Sequence, residues 1–307
     1  MIILNTAKEM RQWSRDQRRD GRSIGLVPTM GALHEGHASL IRESVANNDV
    51  TVVSIFVNPA QFAPHEDFDT YPRTFETDRA MAESLGAVAI YAPRSDSVYP
   101  EGYATYVNVE RLSEGLCGGS RPVFFQGIST VVTKLFNAVE PDCAYFGQKD
   151  AQQCAIIKRM VRDLEFDIDI VEMPIIREVD GLAMSSRNRY LSDGDRKRAL
   201  NLSRALEQAR TLLDAGERNA KTVIKAVREA MQDVPIDYIA LVDADDITPL
   251  ESIDRPILIA VAANIGLARL IDNIKFTPVE CKAMATPAES VDSSPSLRAL
   301  DPAARVT

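Results

Sequence analysis

Several things are scarce or missing in this sequence of 307 residues, and each removes a class of explanation. No apolar run is long enough to span a bilayer; the best, Pro256 to Ala263, suits a buried strand. Basic residues are not in excess: 35 Lys and Arg stand against 44 Asp and Glu, a net charge of −9. That balance disfavours non-specific binding of nucleic acid, which is not expected as a partner, and with no spanning run neither is a membrane. The four cysteines (Cys117, Cys143, Cys154, Cys281) include no Cys-x-x-Cys pair. They read as reduced, mostly buried thiols of a cytoplasmic protein. The start, Met1-Ile2-Ile3-Leu4-Asn5, soon passes into a charged helix and is not expected to be a signal peptide. What remains, 45% hydrophobic and 26% charged, is ordinary for a globular protein with one large or two moderate domains.

Histidine is scarce as well, yet two of the three lie in one stretch, Val27-Pro28-Thr29-Met30-Gly31-Ala32-Leu33-His34-Glu35-Gly36-His37. An apolar run, Ile24 to Val27, precedes it, and residues 38–45 follow at helical spacing. Strand, glycine-bearing turn and helix start form a shape that binds phosphate through unpaired amides and the helix dipole. The spacing Gly31-x4-Gly36 imitates a P-loop, but His37 stands where that motif needs Lys and Ala38 where it needs Ser or Thr. A zinc helix separates its histidines by four positions, not three, and no third ligand is near. The structural alternative is a helix cap with one histidine on an apolar face. Two histidines around a turn glycine favour a nucleotide site instead.

Residues 1–175 alternate strand and helix. Helices are expected at 7–20, 36–47, 74–85, 128–139 and 149–164, and strands at 24–28, 51–57, 87–91, 105–109, 143–146 and 168–172. A Gly-rich loop lies at 115–119. Repeated strand–helix units imply an α/β fold, a Rossmann-like doubly wound parallel sheet, with ligands beyond the carboxyl ends of the strands. The character changes across 176–283, which reads as a smaller α+β module. Ser192 and Asp193 cap a helix to about Ala215, ended by Gly216. A second helix spans 219–232, and strands follow at 236–242 and 256–263. Asp243 to Asp246 read as a solvated turn. Residues 284–307, rich in Ala, Pro and Ser, read as a disordered tail.

Three further loops follow predicted strands or turns. Asn58-Pro59-Ala60-Gln61-Phe62 offers the uncharged donors and acceptor of Gln61, suited to a hydroxy-acid. In Phe146-Gly147-Gln148-Lys149-Asp150-Ala151-Gln152-Gln153, Lys149 opens a helix, where a cation is disfavoured unless it serves an anionic ligand. Asp150 could be only a cap, and Gln153 lies one turn beyond Lys149 on the same face. Met184-Ser185-Ser186-Arg187-Asn188 supplies two hydroxyls, amides and a guanidinium, a clamp for polyphosphate or else a loop before the next helix. Arg121 is a fourth candidate, with a surface salt bridge as its alternative.

Four motifs in order, Val-Pro-Thr-Met-Gly-x-Leu-His-x-Gly-His, Ser-Ile-Phe-Val-Asn-Pro-x-Gln-Phe, Phe-Gly-Gln-Lys-Asp-x-Gln-Gln and Met-Ser-Ser-Arg-Asn, closely resemble the pantothenate synthetase family over about residues 1–280. The histidine turn looks like the HIGH-type signature of the wider nucleotidyltransferase superfamily, and Met-Ser-Ser-Arg like its KMSKS-type counterpart. The resemblance implies a cytoplasmic homodimer that joins (R)-pantoate to β-alanine through a pantoyl-adenylate, releasing AMP and diphosphate. It implies ATP contacts from Met30, Gly31, Ala32, Leu33, His34, Glu35, Gly36 and His37, from Gly147, Gln148, Lys149 and Asp150, from Ile176, and from Met184, Ser185, Ser186 and Arg187. Met30 and Gly147 would line the adenosine pocket. His37, His34 and Lys149 would be catalytic, with His37 the proton donor. Gln61 and Gln153 would hold pantoate, with Gln61 also near β-alanine, and Phe56 or Phe62 would cover the geminal methyls. Mg²⁺ would be held mainly by the nucleotide's phosphates, and the C-terminal module would be a lid hinged near 175–181.

One stretch departs from the family. Where it usually shows Arg-Pro-Gly-His-Phe-x-Gly, this chain has Arg121-Pro122-Val123-Phe124-Phe125-Gln126-Gly127. Whatever the histidine does near the second substrate, Phe124 cannot do. Two other classes stand beside this reading. One is a nucleotidyltransferase of the same superfamily that forms no amide; the other is a non-catalytic nucleotide- or metal-binding module. The acidic balance disfavours an RNA-charging enzyme.

Overall fold

The computed structural model describes residues 1–63 and 66–278. Its first part runs β1 (Ile2–Leu4), α1 (Ala7–Arg19), β2 (Ile24–Thr29), α2 (Glu35–Asn47), β3 (Val50–Ile55), α3 (Phe75–Ser84), β4 (Ala89–Tyr91), α4 (Ser95–Val98), α5 (Cys117–Ser120), α6 (Phe124–Val139), β5 (Cys143–Gly147), α7 (Ala151–Asp163) and β6 (Asp169–Met173). These strands form one parallel sheet in the order β1-β4-β3-β2-β5-β6. Alternate strand residues face opposite ways. Leu26, Val52, Ala89 and Ala144 pack with Met10, Phe136 and Ile156, hence against α1, α6 and α7. Val27, Val53, Ile90 and Tyr145 pack with Leu40, Ile41 and Ala82, hence against α2 and α3. Both faces are covered, which is why buried apolar residues stand at successive rather than alternate positions of the central strands.

The second part runs α8 (Asp193–Asp214), α9 (Ala220–Ala230), β7 (Ile236–Asp243), β8 (Ile257–Ile265) and β9 (Ala268–Phe276). Its three strands form an antiparallel sheet in the order β7-β8-β9. Ile257, Ile259 and Val261 join Leu202, Leu206, Val223 and Val227 in one core. The intervening Leu258 and Ala260 join the core of the large sheet. The small sheet is therefore packed on both faces, and one face reaches toward the first part. The expected caps are present: the Ser192 hydroxyl accepts from Asp195 N, and Gly216 sits at φ 96° just past Ala215. Cys117 and Cys154 are buried and Cys143 is half-buried, all as free thiols. Asp243 Oδ1 accepts from Asp245 N and Asp246 N, a self-closed turn.

Several expectations need correction. No strand forms at 105–109; the segment is irregular, and Val107 N donates to Thr130 Oγ1 on α6 rather than to a ladder. The Gly-rich loop contains one turn of helix, α5. Helix α6 begins at Phe124, not near 128, and a 3-10 turn, Gln148–Asp150, precedes α7. Strand β1 was too short to carry a pattern. Strand β9 was hidden by its polar residues, yet both Asp272 and Asn273 are buried: Arg177 pairs with Asp272, and Lys149 O of the first part accepts from Asn273. Cys281 and the tail at 284–307 lie outside the described residues.

Candidate active site

Strand order reverses beside β2: β3 lies on one side of it and β5 on the other. A crevice opens beyond the carboxyl ends at such a switch point. Here it is a cavity of about 230 Å³ lined from the β2 turn, the loop after β3, the loop after β5 and the segments 174–176 and 184–187. Of the residues singled out in the sequence, it gathers Met30, His34, Gly36, His37, Gln61, Arg121, Gly147, Lys149, Asp150, Gln153, Ile176, Met184, Ser185, Ser186 and Arg187. Gly31, Ala32, Leu33, Glu35 and Gln148 are not on its wall. Glu35 instead pairs with Arg42 on the surface, and Gln148 Nε2 donates to Asn273 Oδ1. Of the two expected aromatic covers, Phe56 is buried in the wall and Phe62 is half-buried in it.

The histidine turn is built differently from a simple phosphate cradle. Gly31 and Ala32 both adopt positive φ, 83° and 51°. The left-handed region costs a non-glycine residue about 1–3 kcal/mol unless its surroundings hold it there. Buried Asp78 on α3 does so: its carboxylate accepts from Ala32 N at 2.9 Å and Leu33 N at 2.8 Å. His34 is the N-cap of α2, its Nδ1 accepting from Gly36 N at 3.1 Å. His37 Nδ1 in turn accepts from His34 N at 3.3 Å, and the rings lie 4.1 Å apart. The amides of Ala32, Leu33, His34 and Gly36 are thus already bonded within the protein. What the turn offers is imidazole. A ring whose Nδ1 accepts must, when neutral, carry its proton on Nε2. Burial, reinforced by the charge of Lys149, brings His34 down from 6.5 to about 4. Burial, with His34 and then Lys149 beside it, brings His37 to about 3. Both are neutral Nε2–H donors at physiological pH.

The loop after β3 holds a carboxamide. Asn58, almost wholly buried, accepts from Tyr99 OH at 2.8 Å and donates to Gly127 O at 3.1 Å and to Gln61 Oε1 at 3.1 Å. Gln61 therefore has its oxygen engaged, and its Nε2 stands 2.8 Å from Met30 Sδ at the cavity wall. Arg121 makes a two-pronged pair with Glu66, both contacts 2.6 Å, and its guanidinium stacks 3.5 Å from the Phe124 ring centroid. Burial would raise the Glu66 carboxyl, but Arg121 holds it below the usual range.

Lys149 rides on the 3-10 turn after β5, a turn fixed from the other sheet: Asn273 Nδ2 donates to Gln148 O at 2.9 Å and Lys149 O at 3.0 Å. Neighbouring glutamines divide their roles. Gln152 turns inward and binds Cys117 N, Leu112 O and Gly115 O, whereas Gln153 lines the cavity. Across from Lys149, Ser185 caps its own turn by accepting from Arg187 N, and Arg187 pairs with Asp67 at 2.9 and 3.1 Å. Burial works against the Asp67 anion, but Arg187 keeps its carboxyl low. Glu66, Asp67, Asp78 and Asn273 escaped sequence reasoning, since each acts on a partner more than forty positions away in the chain. The apolar floor from α6, with Ile128, Val132 and Leu135, reads in sequence as plain core.

Comparison with known proteins gives one answer. The Pantoate-beta-alanine ligase family profile matches residues 2–275. Pantothenate synthetase of Moorella thermoacetica is 53% identical over 277 residues, 89% of this chain and 98% of that protein. The Acetivibrio thermocellus enzyme is 52% identical over 277 residues, covering 89% and 99%. Among solved structures, pantothenate synthetase from Thermus thermophilus superposes with a TM-score of 0.84 at 42% identity, covering 89% of this chain and 99% of that one. Pantoate-beta-alanine ligase from Francisella tularensis, complexed with beta-gamma ATP and beta-alanine, gives 0.74 at 34% identity, covering 89% and 97%. With a family profile spanning nearly all of the described residues and relatives sharing half of its sequence, the chain belongs to the pantoate–β-alanine ligase family.

Proposed function

We propose that this enzyme condenses (R)-pantoate with β-alanine in an ATP-dependent reaction through a pantoyl-adenylate, releasing AMP and diphosphate. A carboxylate is a poor electrophile. Its attack on the α-phosphorus forms an acyl phosphate and breaks the bond to the β-phosphate oxygen. Negative charge grows on the α-phosphate oxygens and on departing diphosphate, so positioned donors lower the barrier. His34 and His37 supply two neutral N–H donors, and His37 acts by hydrogen bonding rather than as an imidazolium acid. Lys149, Ser185, Ser186 and Arg187 hold the triphosphate, and Met30 and Gly147 flank the adenosine. Gln61 and Gln153 hold pantoate. In the second step the neutral amine of β-alanine attacks the activated carbonyl, and AMP leaves.

The observation that carries this reading is the meeting, in one cavity, of two Nδ1-anchored imidazoles, a lysine, a serine–arginine turn and two carboxamides. Mg²⁺ would be held mainly by the phosphates of ATP and would neutralise charge on the departing diphosphate. We further propose a cytoplasmic homodimer. Its chain divides into a nucleotide- and pantoate-binding domain at 1–175 and a lid at 176–283. Among the described residues no helix is long and apolar enough to cross a membrane. Radiolabelled β-alanine separates this reading from a nucleotidyltransferase that forms no amide: label must appear in an amide product in proportion to AMP.

A further inference from the structure

We propose that Asp78 is a positioning residue for adenylation, acting through the histidine turn. The inference rests on the reading that His34 and His37 face the transferring phosphate. Asp78 lies on α3, away from the cavity wall, and is only 2% exposed. Its two oxygens take two consecutive peptide N–H groups, those of Ala32 and Leu33, immediately before His34. Thr74 Oγ1 holds the same carboxylate at 3.2 Å from each oxygen. The fit is close: a Cβ on Gly31 would lie 2.9 Å from Asp78 Oδ2 and 3.2 Å from Ile55 Cγ2.

The geometry explains why a carboxylate is needed there. Two successive left-handed residues, Gly31 and Ala32, can relax by rotating the peptides that join them. A carboxylate accepting from both following amides fixes the two planes together. The chain then enters α2 with His34 N aimed at His37 Nδ1 and Gly36 N aimed at His34 Nδ1. Those bonds set the direction of both Nε2–H groups. An asparagine at 78 has one acceptor oxygen and one NH₂; whichever way it turns, a donor meets a donor. The turn would shift while the pantoate contacts on other elements stayed in place.

The test is single-turnover formation of pantoyl-adenylate by Asp78→Asn and by the parent enzyme, with ATP and pantoate in excess of their KM values. Amplitude reports the fraction of competent sites and the rate constant reports the chemistry. Misplacement of a catalytic group by about 1 Å costs up to about 100-fold, so the rate constant should fall about 10- to 100-fold at full amplitude. The pantoate KM should hold, and Asp78→Asn should add no further loss to His37→Ala. A merely structural role would lower the amplitude and the melting temperature and leave the rate constant alone; that result overturns the inference. If Asp78→Asn does not fold, Thr74→Val, which frees the carboxylate without removing it, must slow the rate constant in the same direction, and an unchanged value overturns the proposal. A slowed His37→Ala beside an unslowed Asp78→Asn defeats only this inference, whereas a parental rate in His37→Ala defeats the reading of the site itself.

Discussion

Gly127→Ala should damage pantoate binding although residue 127 touches no substrate. Gly127 lies in α6 against the loop that carries Gln61. A Cβ there would stand 2.2 Å from Ala60 O, 2.5 Å from Ala60 C and 2.8 Å from Gln61 N, all backbone atoms. Ordinary carbon contacts begin near 3.5 Å, so helix and loop must part by roughly 1 Å. Such overpacking costs about 1–3 kcal/mol of stability. The Asn58 Nδ2 to Gly127 O bond, worth about 1 kcal/mol, is strained by the same movement. Displacing the Gln61 carboxamide by that distance should raise the pantoate KM in diphosphate exchange by about one to two orders of magnitude. The ATP KM should change little, because Lys149 and Arg187 sit on other segments. Gly115→Ala, whose Cβ would meet nothing within 4 Å, serves as the control. A folded Gly127→Ala enzyme with the parental pantoate KM would show that the α6 contact does not position Gln61.

Other expectations follow from the same geometry. Since His34 and His37 are held at about 4 and about 3, adenylation should show no decline centred on 6.5; a rate that halves there would contradict the neutral-donor assignment. The sign for stability follows: these depressed values cost nothing above pH 6.5, and their contribution to stability is lost as pH falls from 6.5 toward the folded values, which acid-side melting curves would register. Phe124→His should lower the β-alanine KM while removing a guanidinium–ring contact worth about 0.5–2 kcal/mol; an unchanged KM would separate residue 124 from the amine site. Asn273→Ala should reduce kcat with little change in pantoate KM, because it releases the backbone under Lys149; equal loss in both would point to general unfolding.

Much of the fold was legible because the parallel strands are covered on both faces and carry mostly β-branched segments, as Val50–Ile55 does apart from Ser54. Helix α8 announced both ends through Ser192 and Gly216. Segment 105–109 misled because Val107 and Val109 alternate about Asn108 as a strand's residues would, while tertiary contact with α6 took the backbone instead. Strand β9 failed the opposite way: Arg269, Asp272 and Lys275 look like a surface loop until Arg177, Asp237 and Glu172 are found beside them. Within the site, side chains with local signatures were found: His34, His37, Lys149 and Arg187 stand at turns where their types are unusual. The groups that hold them, Asp78, Asn273 and Asp67, were not. Their partners are distant in sequence, and an acidic or amide side chain on a polar segment carries no sign that it is satisfied from afar.

We propose that this cavity activates pantoate by adenylation, with two neutral imidazoles on the transferring phosphate. Exchange of labelled diphosphate into ATP, measured with pantoate present and β-alanine omitted, addresses it most directly. Exchange should depend strictly on pantoate and fall about 100- to 1,000-fold in His37→Ala. Exchange without pantoate, no exchange until β-alanine is added, or parental exchange in His37→Ala would contradict it.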